Sequence, residues 1–346
     1  MISGGSSAFF INYYANKNNF ERTKIKDMAQ ISIIIATKNC FEKIDAMMLS
    51  LFRQSVRDTE IICVDDASTD STLNLLNHYA EFDKRVQVIA NKKPVGLLKC
   101  CHIGLKKATA PYVMFLNGTH HILLVQAFLE RLLNSAKQNN SDVVYTPVVL
   151  VDAVMFTAHQ MCIFPKEIFE KIVGKAVFKA TDIRGDLLFN LYLSPYIKLY
   201  RKDFINNADF GAFDEPFFLN AMFKAERVSA DLDFLCYRQV LNPELERPQI
   251  FDEQKENRQV LEKYGAWDAY KTAYIIHKMQ SAWRALQYAP AAEKPKMFEK
   301  IKAEFKREDF GEYDFNTLRK VQLYWTLQTI ADMSWEDFTT ETTDAA

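Results

Sequence analysis

Four short apolar runs punctuate the first third of the chain: Ile31-Ser-Ile-Ile-Ile-Ala36, Ile61-Ile-Cys-Val64, Val86-Gln-Val-Ile-Ala90 and Tyr112-Val-Met-Phe-Leu116. Each leads into a stretch whose apolar residues recur at helical spacing: Phe41, Ile44, Met47, Met48 and Leu51; Leu73, Leu76 and Tyr79; Leu97, Cys101, Leu105 and Ala108; and the amphipathic run Ile122 to Leu133. Continuous apolar strands alternating with helices imply right-handed crossovers and a mostly parallel sheet, covered by helices on both faces. The fold class is therefore α/β and Rossmann-like. Thr37, Asp66 and Asn117 fall at the carboxyl ends of three of these strands, where an open parallel sheet binds its ligands. They are expected to face one crevice.

Beyond residue 140 the pattern is less regular. Asp142-Val-Val-Tyr-Thr146 and Phe234-Leu-Cys-Tyr-Arg-Gln-Val240 read as strands, and Met161-Cys-Ile-Phe164 as a strand entering a helix with Pro165 near its start. From 250 onward the periodicity predicts helices at Gln254 to Tyr264, Ala269 to Tyr288, Ala292 to Phe305 and Phe315 to Met333, with turns near Gly265, Pro290 and Gly311. Trp267, Trp283, Trp325 and Trp335 are expected to pack this helical region, and Thr339 to Ala346 to fray. Residues 1 to 27 carry Gly4-Gly5-Ser6-Ser7 and scattered aromatics without a period, and lack the basic-then-apolar layout of a signal peptide. The expected organisation is an extension at 1–27, an α/β domain at 28–245 with halves 28–121 and 122–245, and a helical region at 246–346.

The second strand ends in two adjacent acids, Asp65 and Asp66, followed by Ser68, Thr69 and Asp70 with the chemistry of a helix N-cap. One reading makes the pair a ligand contact; the other has one acid capping the helix and the other solvated. Similarly, Asp214 reads as the cap of a helix beginning at Pro216.

Composition narrows the classes. The 346 residues are 49% hydrophobic, ample for a large core, and 43 basic against 44 acidic side chains give a net charge of -1 with no global pull toward nucleic acid. Six cysteines without Cys-x-x-Cys spacing argue against a zinc site or disulfide framework and for reduced, cytoplasmic thiols. No apolar run reaches the roughly 18–20 residues that span a bilayer; the longest, Val143 to Phe156, is broken by Pro147 and Asp152. The mixed charges of the helical region leave open a peripheral association at the inner membrane face and a homo-oligomer.

The ordered set Ile-Ile-Ile-Ala-Thr-Lys-Asn, Leu-Phe-Arg-Gln-Ser, Ile-Ile-Cys-Val-Asp-Asp-Ala-Ser-Thr-Asp-Ser-Thr, Gly96 with Ile103-Gly104-Leu105, and Tyr-Val-Met-Phe-Leu resembles family-2 inverting glycosyltransferases. It covers about residues 30 to 240. The resemblance implies a GT-A fold and transfer of a sugar from a nucleotide-diphosphate sugar, as donor substrate, to a glycan or lipid-linked acceptor, usually for bacterial surface glycans. It places Thr37 beside the nucleotide and Asp66 on the base; Lys38, which stands where the family commonly has Tyr, and Asn39, Asp65, Ser68 and Gly96 are further candidates for the nucleotide-sugar site. Lys99, Asn117, Thr119, Lys198 and Arg238 join the same donor site, although an Arg beside aromatics is also an ordinary packing residue. Phe213-Asp214-Glu215-Pro216-Phe217-Phe218 resembles the family's Glu-Asp-x-Pro-Phe-Phe, which makes Asp214 the general base and Glu215 its fallback.

One departure matters most. The family's Asp-x-Asp, whose acids hold a divalent cation against the diphosphate, is replaced here by Asn117-Gly118-Thr119, with His120 where a third acid often stands. Mg²⁺ and Mn²⁺ prefer charged oxygen ligands, so a metal cofactor is doubtful and His120 is at most a weak ligand. Two functions follow: a divergent glycosyltransferase in which Lys38, Lys99 or Lys198 offsets the diphosphate charge, or a glycosyltransferase-like binding or scaffold protein without turnover. A nucleotidyltransferase is disfavoured, because no Gly-rich phosphate loop follows the first strand.

Overall fold

The computed structural model describes residues 28–118, 123, 125–151, 158–162, 174–189, 191, 193–208, 211–232, 238–240, 249–331 and 333–344, with the backbone alone described at 148–151, 158–162, 186, 238–240 and 340–344. The extension 1–27, the helix expected after Pro165, and Thr119 and His120 lie outside the described residues. Two compact units, interleaved along the sequence, make up the chain.

The first unit takes in 28–146 and Tyr196–Asn207. It runs β1 (Ile31–Thr37), α1 (Phe41–Phe52), β2 (Thr59–Asp65), α2 (Thr72–Phe82), β3 (Val86–Ala90), α3 (Leu97–Leu105), β4 (Tyr112–Asn117), α4 (Phe128–Asn139) and β5 (Val143–Tyr145). After β6 (Val148–Val151), β7 (Ala158–Cys162) and the helical turn α5 (Gly185–Leu188) of the other unit, the chain returns with β8 (Leu199–Arg201) and α6 (Lys202–Ile205). Within this unit the strands lie in the order β3-β2-β1-β4-β8-β5. The first four are parallel and β8 is antiparallel to both neighbours, giving the mostly parallel sheet the patterning predicts.

Every residue of β1 and β2 is buried, which is why these strands read as unbroken apolar runs rather than alternating ones. On one face α3 packs so close to β1 that a Cβ on Gly104 would lie 2.3 Å from Ile34 Cγ2. The register sets the site: Thr37 pairs with Asp65, and Ala36 with Asn117, so three polar strand ends sit side by side.

The second unit takes in Pro147–Pro195, Ala208–Asp233 and Val240–Ala346. β6 and β7 pair antiparallel. Later elements are α7 (Asp214–Lys224), β9 (Val228–Ala230), α8 (Ile250–Lys263), α9 (Trp267–Tyr288), α10 (Lys294–Phe305), α11 (Phe315–Leu318), α12 (Gln322–Ile330) and α13 (Trp335–Asp344), while β10 (Arg238–Val240) has its first two residues in the first unit and its last in the second. Helix α7 packs on α8 and α5 on α9, so contacts cross the boundary expected at residue 245.

Three expectations for this unit need correction. The single helix expected over Phe315 to Met333 is two, because the chain leaves helical geometry at Val321. The carbonyl of Arg319 is taken up there by the indole N–H of Trp325 at 2.9 Å. Trp325 itself is half exposed, not packed like Trp267, whose ring lies under the Arg258 guanidinium at 4.2 Å. Thr339 to Asp344 continue as helix α13 instead of fraying, anchored by Trp335 and Phe338 against Phe298 at ring separations of 5.4 and 5.1 Å. No helix among the described residues is long and apolar enough to cross a membrane.

Candidate functional site

Both acids at the end of β2 are 1% exposed, so neither is the solvated member expected of a capping pair. Asp65 accepts the Ser68 N–H at 2.9 Å and also the Ser68 hydroxyl, closing a turn in which Ala67 takes φ 55°. Asp66 faces the loop between β3 and α3. Its Oδ1 accepts from Val95 N at 2.7 Å and Asn91 Nδ2 at 3.3 Å, and its Oδ2 from Gly96 N at 3.0 Å, with Lys38 Nζ at 3.8 Å. Three of the roughly four lone-pair positions of this carboxylate thus take hydrogen bonds, and the Lys38 ammonium stands beyond hydrogen-bond distance. Burial alone would raise its pKa, but the Val95 and Gly96 N–H groups, with Asn91 and Cys100, outweigh burial and hold it below the ordinary value. Gly96 sits at φ 96° with open space where a Cβ would be, so backbone conformation selects glycine here.

Neighbouring loops are clasped together. Because β1 and β2 are adjacent and parallel, the loop after one lies against the loop after the other. Asn39, at φ 46°, accepts the Thr69 N–H on its Oδ1 at 2.8 Å and donates its own N–H to Ser68 Oγ at 3.0 Å. Cys40 N–H donates to Thr72 Oγ1 at 2.8 Å and Phe41 N–H to Asp70 Oδ2 at 3.2 Å. The cap residues expected to serve α2 thus largely serve the start of α1. Only Asp70 Oδ1, accepting the Thr72 N–H at 2.9 Å, serves its own helix. Asn91 and Thr72 are not singled out by the sequence, which offers Thr69 and Asp70 only as cap residues. The Asn-Lys-Lys-Pro-Val-Gly loop, bracketed by Pro94 and Gly96, was the signal for the first of them.

At the end of β4, Asn117 is 8% exposed and Gly118 donates its N–H to the Ala36 carbonyl at 2.9 Å. A Cβ on Gly118 would meet Thr37 Cγ2 at 2.7 Å and Cys40 Sγ at 3.2 Å. The Thr37 side chain is fully buried, its hydroxyl donating to the Val64 carbonyl at 3.2 Å. Among the described residues no group of three or more His, Cys, Asp or Glu could hold a metal ion. The donors described at this strand end, a neutral amide and a glycine, do not fit a divalent cation.

The cations separate by exposure. Lys38 is 41% exposed at the rim of Asp66, and Lys99 is exposed on the first turn of α3. Lys198 is fully enclosed just before β8, placed by a left-handed Ile197 whose N–H donates to the Phe115 carbonyl at 2.9 Å. Its ammonium donates to the Tyr196 carbonyl at 3.2 Å and lies 5.1 Å from the Tyr145 ring centre. Arg238 starts β10, and its side chain lies outside the description.

Asp214 and Glu215 belong to the second unit. Helix α7 begins at Asp214, not at Pro216, and its N-cap position is Phe213, so Asp214 is not the cap of this helix. Asp214 is half-buried. Glu215 turns its Oε2 to Gln254 Nε2 at 3.2 Å, Asn257 Nδ2 at 3.1 Å and His277 Nε2 at 3.0 Å.

Residues 32–206, half of the chain, match the model of glycosyl transferase family 2. The chain is 29% identical over 177 residues to the cholesterol galactosyltransferase of Borreliella burgdorferi, covering 51% of this chain and 45% of that protein. It is 30% identical over 222 residues to the poly(ribitol-phosphate) beta-N-acetylglucosaminyltransferase TarP of Staphylococcus aureus, covering 61% of this chain and 62% of that one. The chain thus spans about half to just under two thirds of these relatives. In fold it is similar to S. aureus TarS 1–349 in complex with UDP-GlcNAc, at TM-score 0.56 and 19% identity over 79% of this chain and 80% of that one. It is also similar to the mannosyltransferase PcManGT of Pyrobaculum calidifontis in complex with GDP-Man and Mn²⁺, at TM-score 0.51 and 13% identity over 94% and 91% of the two chains. With its mostly parallel sheet and its acids at the strand ends, the chain belongs to glycosyl transferase family 2 and has the GT-A fold.

Proposed function

We propose that this protein transfers a sugar, with inversion, from a nucleotide-diphosphate sugar to a glycan or lipid-linked acceptor in cell-surface polysaccharide biosynthesis. The observation that carries the reading is the cluster of Thr37, Asp65, Asp66 and Asn117 at the carboxyl ends of adjacent parallel strands, within the stretch that matches the family. The relatives' names supply the substrate class: TarP is named for beta-N-acetylglucosamine transfer to poly(ribitol-phosphate), and WfaP of Escherichia coli for UDP-glucose and a diphosphoundecaprenol acceptor.

In this reading the first unit holds the nucleotide. Asp66 fixes the loop 91–96, whose exposed edge then lines the base, and Lys38 and Lys99 offset the charge of the diphosphate leaving group. Asp214 accepts the proton of the acceptor hydroxyl as that oxygen attacks the anomeric carbon and the bond to the diphosphate breaks. Glu215, occupied by three donors, is the poorer base of the two. The neutral Asn117–Gly118 pair favours a second reading, a glycosyltransferase-like protein that binds nucleotide without turnover.

Calorimetric titration with a panel of nucleoside diphosphates, followed by a donor-hydrolysis and transfer assay of Asp214→Asn, decides between them. The enzyme reading expects binding, turnover, and a fall of about 10²-fold or more in kcat for Asp214→Asn. Binding without turnover moves the protein to the second reading, and binding of no nucleotide removes both.

A further inference from the structure

The N-cap residue of helix α7, Phe213, makes no side-chain capping bond. The first N–H groups of a helix have no internal acceptor, so an uncapped first turn frays unless something else holds it. Here the hold is tertiary. Glu215 receives Gln254 and Asn257 from α8 and His277 from α9, at 3.0–3.2 Å. Gln254 and Asn257 are fully buried, the Tyr274 hydroxyl donates to the Gln254 carbonyl at 3.0 Å, and the Phe189 ring lies 5.0 Å from that of His277. Asn257 aims its amide N–H at Glu215, while its own buried Oδ1 has no hydrogen-bond partner among the described residues. The cluster is arranged around one carboxylate. Near the far end of α7, Lys263 Nζ and Tyr264 Oη reach Asn220 Oδ1 at 3.0 and 2.9 Å, so the helix is pinned on both sides.

We propose that Glu215 is a positioning residue: held by Gln254, Asn257 and His277, it fixes the first turn of α7 and so the direction in which Asp214 presents its carboxylate. Successive helix positions differ by about 100° around the axis, so turning Glu215 into α8 and α9 turns Asp214 toward another side. The proposal rests on the reading of Asp214 as general base.

The test is a double-mutant cycle on the full chain, read together with amide hydrogen exchange. Glu215→Ala is expected to lower kcat about tenfold or more, with donor KM and nucleotide Kd within about twofold, because the donor is held elsewhere. Exchange at Phe217 and Phe218 should quicken by about tenfold as the first turn loosens. Glu215→Gln keeps an acceptor oxygen for the amide donors and should recover most of both losses. In the Asp214→Asn background, Glu215→Ala should cost nothing further, since it acts through Asp214, whereas a general loss of fold lowers kcat in both backgrounds alike. Should Glu215→Ala fail to fold, His277→Gln, which leaves two donors in place, carries the same expectations at smaller size. Unchanged exchange, unchanged kcat where Asp214→Asn is impaired, or losses that multiply would overturn the positioning role. Full turnover in Asp214→Asn defeats the base reading instead, and the positioning role with it.

Discussion

Asp66 Oδ1 accepts the backbone N–H of Val95 at 2.7 Å, which makes a carboxylate on one strand end the fixture for the loop that follows the neighbouring strand. Replacing it with Asn leaves one oxygen for the Val95 and Gly96 N–H groups and sets an amide against the other. An unmade buried hydrogen bond costs about 1–3 kcal/mol, so Asp66→Asn should lower the melting temperature by about 2–6 °C. Nucleotide affinity should fall with it, because the loop edge is no longer held. The sign of the pH effect follows from the depressed pKa: the stabilisation is fully present above the ordinary carboxylate value and is lost as pH falls through the folded-state value. Thermal unfolding between pH 3 and 7 should therefore show a steeper acid decline for the parent than for Asp66→Asn, and parallel curves would contradict the role given to this carboxylate.

Gly118 has no room for a side chain. In Gly118→Ala the new methyl would press on Thr37 Cγ2 and Cys40 Sγ, both buried, and overpacking of this kind costs about 1–3 kcal/mol. Denaturant unfolding should show that loss, and a variant as stable as the parent would mean that the β1 and β4 ends separate more easily than their packing indicates.

Lys38 is the rim cation. Lys38→Gln should weaken nucleoside diphosphate binding by about fivefold, on the order of 1 kcal/mol for a partly exposed charge, and the difference should shrink at high salt. Because the described strand-end donors do not fit a divalent cation, chelator or added Mg²⁺ should move the Kd by less than about threefold. A chelator-abolished affinity in the calorimeter would place a metal site on residues outside those described.

Burial raises the Cys40 thiol to about 11, and burial with the Asp66 charge raises Cys100 to about 12; Cys63 is raised as well. Only the thiolate reacts, so iodoacetamide at pH 8 should leave these three unmodified in the folded protein and label them after denaturation. Peptide mass mapping reads the outcome, and native labelling of Cys100 would show that the Asp66 loop opens readily.

How much was legible in the chain differs by scale. Strand and helix order in the first unit, and the alignment of Thr37, Asp66 and Asn117 at strand ends, follow from apolar runs and their spacing, because burial on both faces of a parallel sheet leaves an unbroken apolar signature. What each polar side chain does was decided only by tertiary structure. Ser68, Asp70 and Thr72 serve the loop after β1 because two parallel strands bring distant loops together, a relation with no local period. The neutral Asn117-Gly118-Thr119 was visible in the sequence, but the closed space over Gly118 was not, since Thr37 and Cys40 reach it from about 80 residues away. The motif ranks Asp214 above Glu215 only by resemblance, and nothing local says what either side chain touches. Three donors from helices 39 to 62 residues further on take Glu215, and no pattern within α7 announces them.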